Sequence, residues 1–343
     1  MRVLVVNAGS SSLKLRLLDD DDAVLGTEDL PPVDRLGPDD LRRAIDKLTG
    51  FDAVGHRIVH GGERYREPVV VDTEVRAQLD AFTDLAPLHQ PKSLAALDSV
   101  GRALPDVPAV ACFDTAFHAT LPPEAATYAL PREWRERYGI RRYGFHGLSH
   151  AYAARAAGGA RRVVTCHLGA GASLCAVLDG RSVDTTMGFT PLEGLVMATR
   201  SGSVDPGLLL WLQQHDGLSI DEMAEALEHE SGLLGLAGTA DMRELLERDD
   251  PDAQLAVGVY IHRLRAAIAA MVASLGGLEA LVFTGGVGEH AARVRELACA
   301  GLAHLGVGTA DSQVRVLTVR AREDLEIARQ ARALLGAQGL EHL

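Results

Sequence analysis

A chain of 343 residues, 47% hydrophobic and 24% charged, has the composition of a globular protein rather than a disordered or fibrous one, and its length exceeds what one core usually serves. A formal net charge of −13 argues against a general nucleic-acid binder, because counterion release needs a dense basic surface. Any anionic ligand must therefore meet local positive charge.

The opening MRVLVVNAGS has no long apolar stretch behind its single arginine and reads as a strand, not a signal peptide. Val3 to Val6 leads into the small-residue turn Asn7-Ala-Gly-Ser-Ser-Ser12, and Leu13 to Leu17 resumes a strand with strict apolar/polar alternation. An acidic stretch, residues 19–22, and a Pro-containing stretch, residues 30–38, follow. A helix is expected over residues 92–104, with Leu94, Leu97 and Leu104 on one face. Pro122-Pro123 is the candidate linker.

Half a chain later the opening pattern returns. Residues 162–166 lead into His167-Leu-Gly-Ala-Gly-Ala-Ser173, then another strand over residues 174–178 and an Asp179-Gly180 turn. Glycine- and serine-rich hairpin tips let backbone N–H groups approach a phosphate, so two such tips make a phosphate clamp. Ser219-x-x-Glu222 is a capping box. Residues 253–275 form a long helix apolar on more than one face, which fits deep burial or a subunit interface; His262, Arg263 and Arg265 argue against a membrane span, and a cytoplasmic protein is expected. A strand over residues 278–283 ends in Thr284-Gly-Gly-Val-Gly-Glu289, a turn suited to packing a nucleotide base or ribose, before a helix over residues 291–304. A terminal helix starts at Glu323. Strands then helices, twice over, indicate a duplicated α/β unit. The four cysteines, Cys112, Cys166, Cys175 and Cys299, have no CxxC spacing, and the first three sit in apolar runs as small buried hydrophobes.

Asn7-Ala-Gly-Ser-Ser-Ser-x-Lys14, Gly55-His-Arg-Ile-Val-His-Gly-Gly62, Phe113-Asp-Thr-Ala-Phe-His118, Arg142-Tyr-Gly-Phe-His-Gly147 and Thr199-Arg-Ser-Gly202 together resemble the acetokinase family, which includes acetate, propionate and butyrate kinases. The resemblance runs from residue 1 to about residue 330. It implies an α/β fold of two duplicated ribonuclease-H-like, actin-like ATPase domains around a central cleft. Residues 1–117 with 323–343 are expected to form the first domain and residues 118–322 the second. The implied reaction is reversible transfer of the ATP γ-phosphoryl to acetate, giving acetyl phosphate and ADP, in a homodimer formed through the second domain.

The resemblance also implies the site. Asn7 and Glu323 hold Mg²⁺ or Mn²⁺; Glu323 in isolation reads as a carboxylate at a helix N-terminus. Arg57 and Arg200 take the carboxylate and the transferring phosphoryl, since a guanidinium fork matches both; structural salt bridges are the alternative. Arg57 lies in an apolar stretch where a charge without a task is costly. His146 and His167 stabilise the phosphoryl oxygens, and His89 is a weaker candidate. Asp114 orients Arg57 or the acid and is no base, because the acceptor carboxylate is already ionised; helix capping is its alternative role. Val59, Leu88, Phe145 and Pro191 match the acyl pocket and are otherwise core residues. Lys14 (by itself a solvated strand residue), His167, Leu168, Gly169, Ala170 and Gly171 match the phosphate side of the ATP site, and Asp241, Met242, Arg243 and Gly286, Val287, Gly288, Glu289, His290 the adenosine side.

The chain departs from the family pattern at Gln90, Ala170, Ala198, Ser203 and His290, and its first domain is shorter than usual. The same chemistry on propionate or butyrate is the nearest alternative. A non-catalytic nucleotide sensor and a sugar kinase are the others, and the latter needs a base for its hydroxyl acceptor.

Overall fold

The computed structural model describes residues 1–9, 12–37, 39–87, 89–309 and 311–341. Ser10 and Ser11 of the first small-residue turn, Pro38 and Leu88 lie outside the described residues. The chain divides into two compact units: Met1–Ala119 with Gly147–Tyr152 and Arg322–Leu343, and Thr120–His146 with Ala153–Ala321.

In the first unit β1 (Val3–Ala8), β2 (Leu13–Leu18), β3 (Val24–Leu30), β4 (Ala53–Ile58), β5 (Val69–Val70) and β6 (Ala109–Phe113) form one sheet, ordered β3-β2-β1-β4-β6-β5. β1 pairs antiparallel with β2, with Asn7 opposite Lys14, and parallel with β4, which pairs parallel with β6. The central strands β1 and β6 are covered on both faces and are apolar at nearly every position, while β2, nearer the edge, alternates. Leu4 and Val6 face a cluster that includes Ala96 and Val100 of the helix Gln90–Ala103. Val3 and Val5 face Ile327, Ala328 and Ala331 of the terminal helix Glu323–Glu341.

In the second unit β7 (Arg162–Leu168), β8 (Ala172–Leu178), β9 (Arg181–Thr185), β10 (Ala280–Thr284) and β11 (Arg315–Thr318) are ordered β11-β10-β7-β8-β9. Read from the other edge, β9-β8-β7-β10-β11 repeats β3-β2-β1-β4-β6, with three antiparallel strands followed by two parallel ones. Even the register shift recurs, at Leu17/Leu18 in one sheet and Ala176/Val177 in the other. The duplication expected from the two hairpins is thus present strand for strand. Asp179 and Gly180, both at positive φ, form the expected tight turn.

The helix Pro251–Leu275 packs on β7, β8 and β9 and buries Tyr260, Leu264 and Ile268, which makes it a core helix. It is the one helix among the described residues long and apolar enough to cross a membrane. The Ser219–Glu222 box forms as expected and starts the helix Ile220–His229. The glycine turn after β10 departs from expectation: Gly285–His290 is already a short helix, and a second, Ala292–Ala300, follows. Gly285 permits it, since its φ is +80° and a Cβ there would stand 2.7 Å from the Leu168 carbonyl oxygen.

Candidate active site

Asn7, Arg57 and Asp114 lie at or just beyond the carboxyl ends of β1, β4 and β6, the edge where open α/β sheets bind ligands. Arg57 sits in a closed set of polar partners. Its Nε lies 3.2 and 3.1 Å from the two oxygens of Asp114, its Nη2 donates to Asp114 Oδ2 at 2.6 Å, and its Nη1 to Asn7 Oδ1 at 3.3 Å. Asn7 Nδ2 donates to Glu323 Oε2 at 2.7 Å, and Arg57 Nε is 3.9 Å from the same oxygen. Asp114 is therefore spent on Arg57 and caps no helix.

The electrostatics follow from burial. Asp114 is 1% exposed, and burial raises its carboxyl above the ordinary value while Arg57 opposes the shift. For Arg57 burial works downward, and the Asp114 and Glu323 carboxylates overcome it and hold the guanidinium above its usual value. Arg57 stays charged.

Asn7 and Glu323 offer two adjacent hard oxygen donors, partly exposed, and no group of three or more His, Cys, Asp or Glu that could hold a metal occurs among the described residues. So sparse a donor set fits a magnesium-type ion that keeps most of its waters and is shared with phosphates. The residues fit the expected metal.

The second unit assembles its own set. His146 precedes the helix Gly147–Ala156 and holds a left-handed backbone, φ 56°, the kind of strain that persists where surroundings over-determine it. Its Nδ1 is 2.9 Å from Ser173 Oγ, and its ring centroid lies 4.4 Å from that of His167 on β7. A Cβ on Gly171 would stand 3.3 Å from the His146 ring and 3.4 Å from Arg200 Nη1, so the tip of the β7–β8 hairpin, His146 and Arg200 converge. Arg200 Nη1 also donates to the Pro191 carbonyl at 3.3 Å, and Arg200 Nε lies 2.9 Å from Glu228 Oε2. Burial lowers the Arg200 guanidinium, with Glu228 acting against that shift.

A cavity of about 550 Å³ in the same unit is lined by Gly169, Ala170, Asp241, Met242, Arg243, Gly286, Val287 and His290, all expected at the nucleotide, together with Ala198, Leu233, Ala240, Tyr260 and Ala291. Three of the five departures from the family pattern, Ala170, Ala198 and His290, stand in this wall. Leu168 and Gly288 are buried, and Glu289 is a strap instead of a lining residue: its Oε1 accepts from the N–H groups of Gly285 and Ala321 at 3.1 and 2.8 Å.

Lys14 stands exposed on β2. Val59 is buried in the first unit, and Phe145 and Pro191 in the second. His89 precedes the helix Gln90–Ala103 without a side-chain capping bond. Gln90 ties the chain after β4, accepting from the His60 N–H and donating to the His60 carbonyl, both at 3.1 Å. Ser203 Oγ accepts from Gly194 N–H at 3.1 Å. Glu228 and Ser173 are the site residues that the sequence did not single out. A carboxylate on an amphipathic helix and a serine in a strand carry no local signal of their targets.

The sequence pattern of the acetokinase family matches residues 34–332. An acetate kinase of Nostoc punctiforme is 47% identical over 320 residues, covering 85% of this chain and 79% of the relative. The solved acetate kinase of Porphyromonas gingivalis has a TM-score of 0.88 at 33% identity, covering 97% of this chain and 99% of its own. A propionate kinase of Francisella tularensis gives 0.89 at 34%, covering 96% and 98%. A ROK hexokinase of Thermus thermophilus, 15% identical with a TM-score of 0.51 over 98% of this chain and all of its own, shares the fold alone. The duplicated sheets, the family pattern over most of the length and the acetate kinase relative at 47% identity agree: the chain belongs to the acetokinase family and is an acetate kinase, a phosphotransferase with a carboxyl group as acceptor.

Proposed function

We propose that Arg57 binds the acetate carboxylate and that Arg200, His146 and His167 surround the phosphoryl group passing from ATP. The observation that carries this reading is the buried Arg57–Asp114 fork: with Nε and one Nη2 hydrogen taken by Asp114, the guanidinium is held charged and oriented, and the remaining hydrogens of its outer Nη edge suit a planar carboxylate. The acceptor is ionised at neutral pH and needs no base, so catalysis rests on positioning and on neutralising charge. Asp114 fixes the plane of Arg57 and does not accept a proton. His146, held through Ser173, and His167 aim donors at the equatorial oxygens.

Asn7 and Glu323 would hold the magnesium ion, which when bound neutralises charge on the phosphate oxygens. The cavity around Met242, Arg243 and Gly286 receives the adenosine of ATP or ADP, with Lys14, Leu168, Gly169, Ala170 and Gly171 assigned to its phosphates. Val59, Leu88, Phe145 and Pro191 are assigned to the acyl chain. Acetate is the acceptor favoured by the relatives; a pocket one methylene deeper changes preference by only ~1–3 kcal/mol, so propionate and butyrate are tested alongside it. We further propose a cytoplasmic homodimer formed through the second unit. Its helix Pro206–His215, PGLLLWLQQH, buries no residue although Leu208, Leu210 and Trp211 are all exposed.

The test is a hydroxamate assay of acyl phosphate formed from ATP, Mg²⁺ and each of the three acids, with Arg200→Ala as control. Acyl phosphate with acetate that falls by at least about 100-fold in the variant is the expected result. Folded protein that binds ATP and yields no acyl phosphate with any acid would point to another acceptor or to a sensor.

A further inference from the structure

We infer that Glu228 is a positioning residue for Arg200: its carboxylate pairs with the guanidinium and keeps it at the place used on the phosphoryl group. The inference rests on the reading of Arg200 given above and adds a residue on which that reading was silent.

Glu228 stands in the last turn of the helix Ile220–His229, where the carbonyl ends of the backbone dipoles disfavour a negative charge. Its side chain is only 13% exposed, and that of Arg200 18%. A carboxylate buried at the wrong end of a helix is costly unless a cation meets it, and the 2.9 Å contact with Arg200 Nε meets it. The contact is an ion pair and not an aligned hydrogen bond, since Glu228 Oε2 has no hydrogen-bond partner among the described residues; it anchors the Nε side of the guanidinium, while Nη1 rests on the Pro191 carbonyl beside Gly171 and the His146 ring.

The backbone around the pair is laced so that Glu228 and Arg200 keep one relation. Thr199 Oγ1 donates to the Glu228 carbonyl at 2.8 Å, Ser201 N–H to the Leu227 carbonyl at 3.0 Å, and Ser231 N–H to the Thr199 carbonyl at 2.9 Å. Gly232, at φ +61°, lets the next helix, Gly232–Ala237, start against this loop; a Cβ there would stand 2.3 Å from the Met197 oxygen and 2.7 Å from that of Arg200. The first unit solves the same problem with Asp114 on Arg57. Each proposed catalytic arginine thus has a buried carboxylate of its own, one from a strand end and one from a helix end.

A double-mutant cycle tests this. Steady-state kcat and KM for ATP and acetate are measured for the wild type, Glu228→Gln, Arg200→Lys and the double variant, with Arg200→Ala and thermal unfolding as controls. Glu228→Gln is expected to lower kcat by about 10- to 100-fold with KM for ATP within about twofold, as a misplaced group near 1 Å does. In the Arg200→Lys background the same change is expected to cost less than about twofold, because its target is gone. Glu228→Asp, which keeps the charge, restores part of the lost kcat and serves if Glu228→Gln unfolds. Wild-type kcat in Glu228→Gln, or an equal loss in both backgrounds, overturns the inference. Full activity in Arg200→Ala overturns instead the reading of Arg200 beneath it.

Discussion

Arg57 and Arg200 carry positive charge into largely desolvated surroundings, and in each case a carboxylate makes that tolerable. The arrangement is stabilising only as a whole, since removing one member of a buried pair leaves an uncompensated charge at a cost of roughly 3–5 kcal/mol. The two pairs differ in how far the sequence reveals them. Asp114 follows the strand run 109–113, in a motif matched with Arg57, so its placement was readable. Glu228 lies 28 positions from its partner on a helix whose pattern reads as an ordinary amphipathic surface, and no periodicity separates a buried glutamate from a solvated one. Glu323 is intermediate: a helix N-terminus explains a carboxylate there, and its contacts with Asn7 at 2.7 Å and Arg57 at 3.9 Å place it at the strand ends. Glu323→Gln is expected to raise the Mg²⁺ concentration for half-maximal acyl phosphate formation by about 10-fold or more, as losses around a metal site do. A Mg²⁺ titration that superposes on the wild type would remove Glu323 from the metal.

At the scale of elements, the hairpins β1–β2 and β7–β8 were legible because turn chemistry and alternation are local. What covers an apolar helix is not local. Residues 253–275 left open deep burial or an interface; the structure buries one face, with Ala256, Tyr260, Leu264 and Ile268 against the second unit, and leaves Leu255 on the other 57% exposed. The helix Pro206–His215 is the opposite case: Leu210 is 60% and Trp211 50% exposed, and Ile220, at the start of the next helix, 72%. These exposed apolar side chains on consecutive helices are where the proposed dimer contact is sought. Leu210→Glu with Trp211→Glu is expected to shift sedimentation from dimer to monomer with little change in unfolding temperature. An unchanged sedimentation coefficient would place the proposed dimer contact elsewhere.

At the scale of the molecule, the first unit encloses His56 and His60, both essentially inaccessible. Burial lowers His56 from 6.5 to about 3 and His60 to about 4. The folded unit keeps both rings neutral, while the unfolded chain protonates them near pH 6.5. Between pH 6.5 and about 4 the unfolded state therefore binds more protons, so stability is full above 6.5 and declines as pH falls. The slope is on the order of 1.4 kcal/mol per pH unit for each ring. Urea midpoints at pH 7 and pH 5 are expected to differ accordingly, and His56→Gln to flatten the dependence; equal midpoints in the wild type would show that the rings protonate inside the fold. The first unit is also discontinuous, since its strands come from Met1–Ala119 and the helix closing over Val3, Val5, Val110 and Cys112 from Arg322–Leu343. On a ribosome adding ~5–20 residues per second, the roughly 200 intervening residues keep that apolar face waiting for about 10–40 s. The second unit, begun later, has the material to finish sooner, so the returning stretch Arg322–Leu343 both seals the older sheet and delivers Glu323 to its ends. A nascent chain therefore lacks the proposed metal carboxylate, and presents this apolar face to chaperones and to its own neighbours, until the helix that begins at Glu323 has been made.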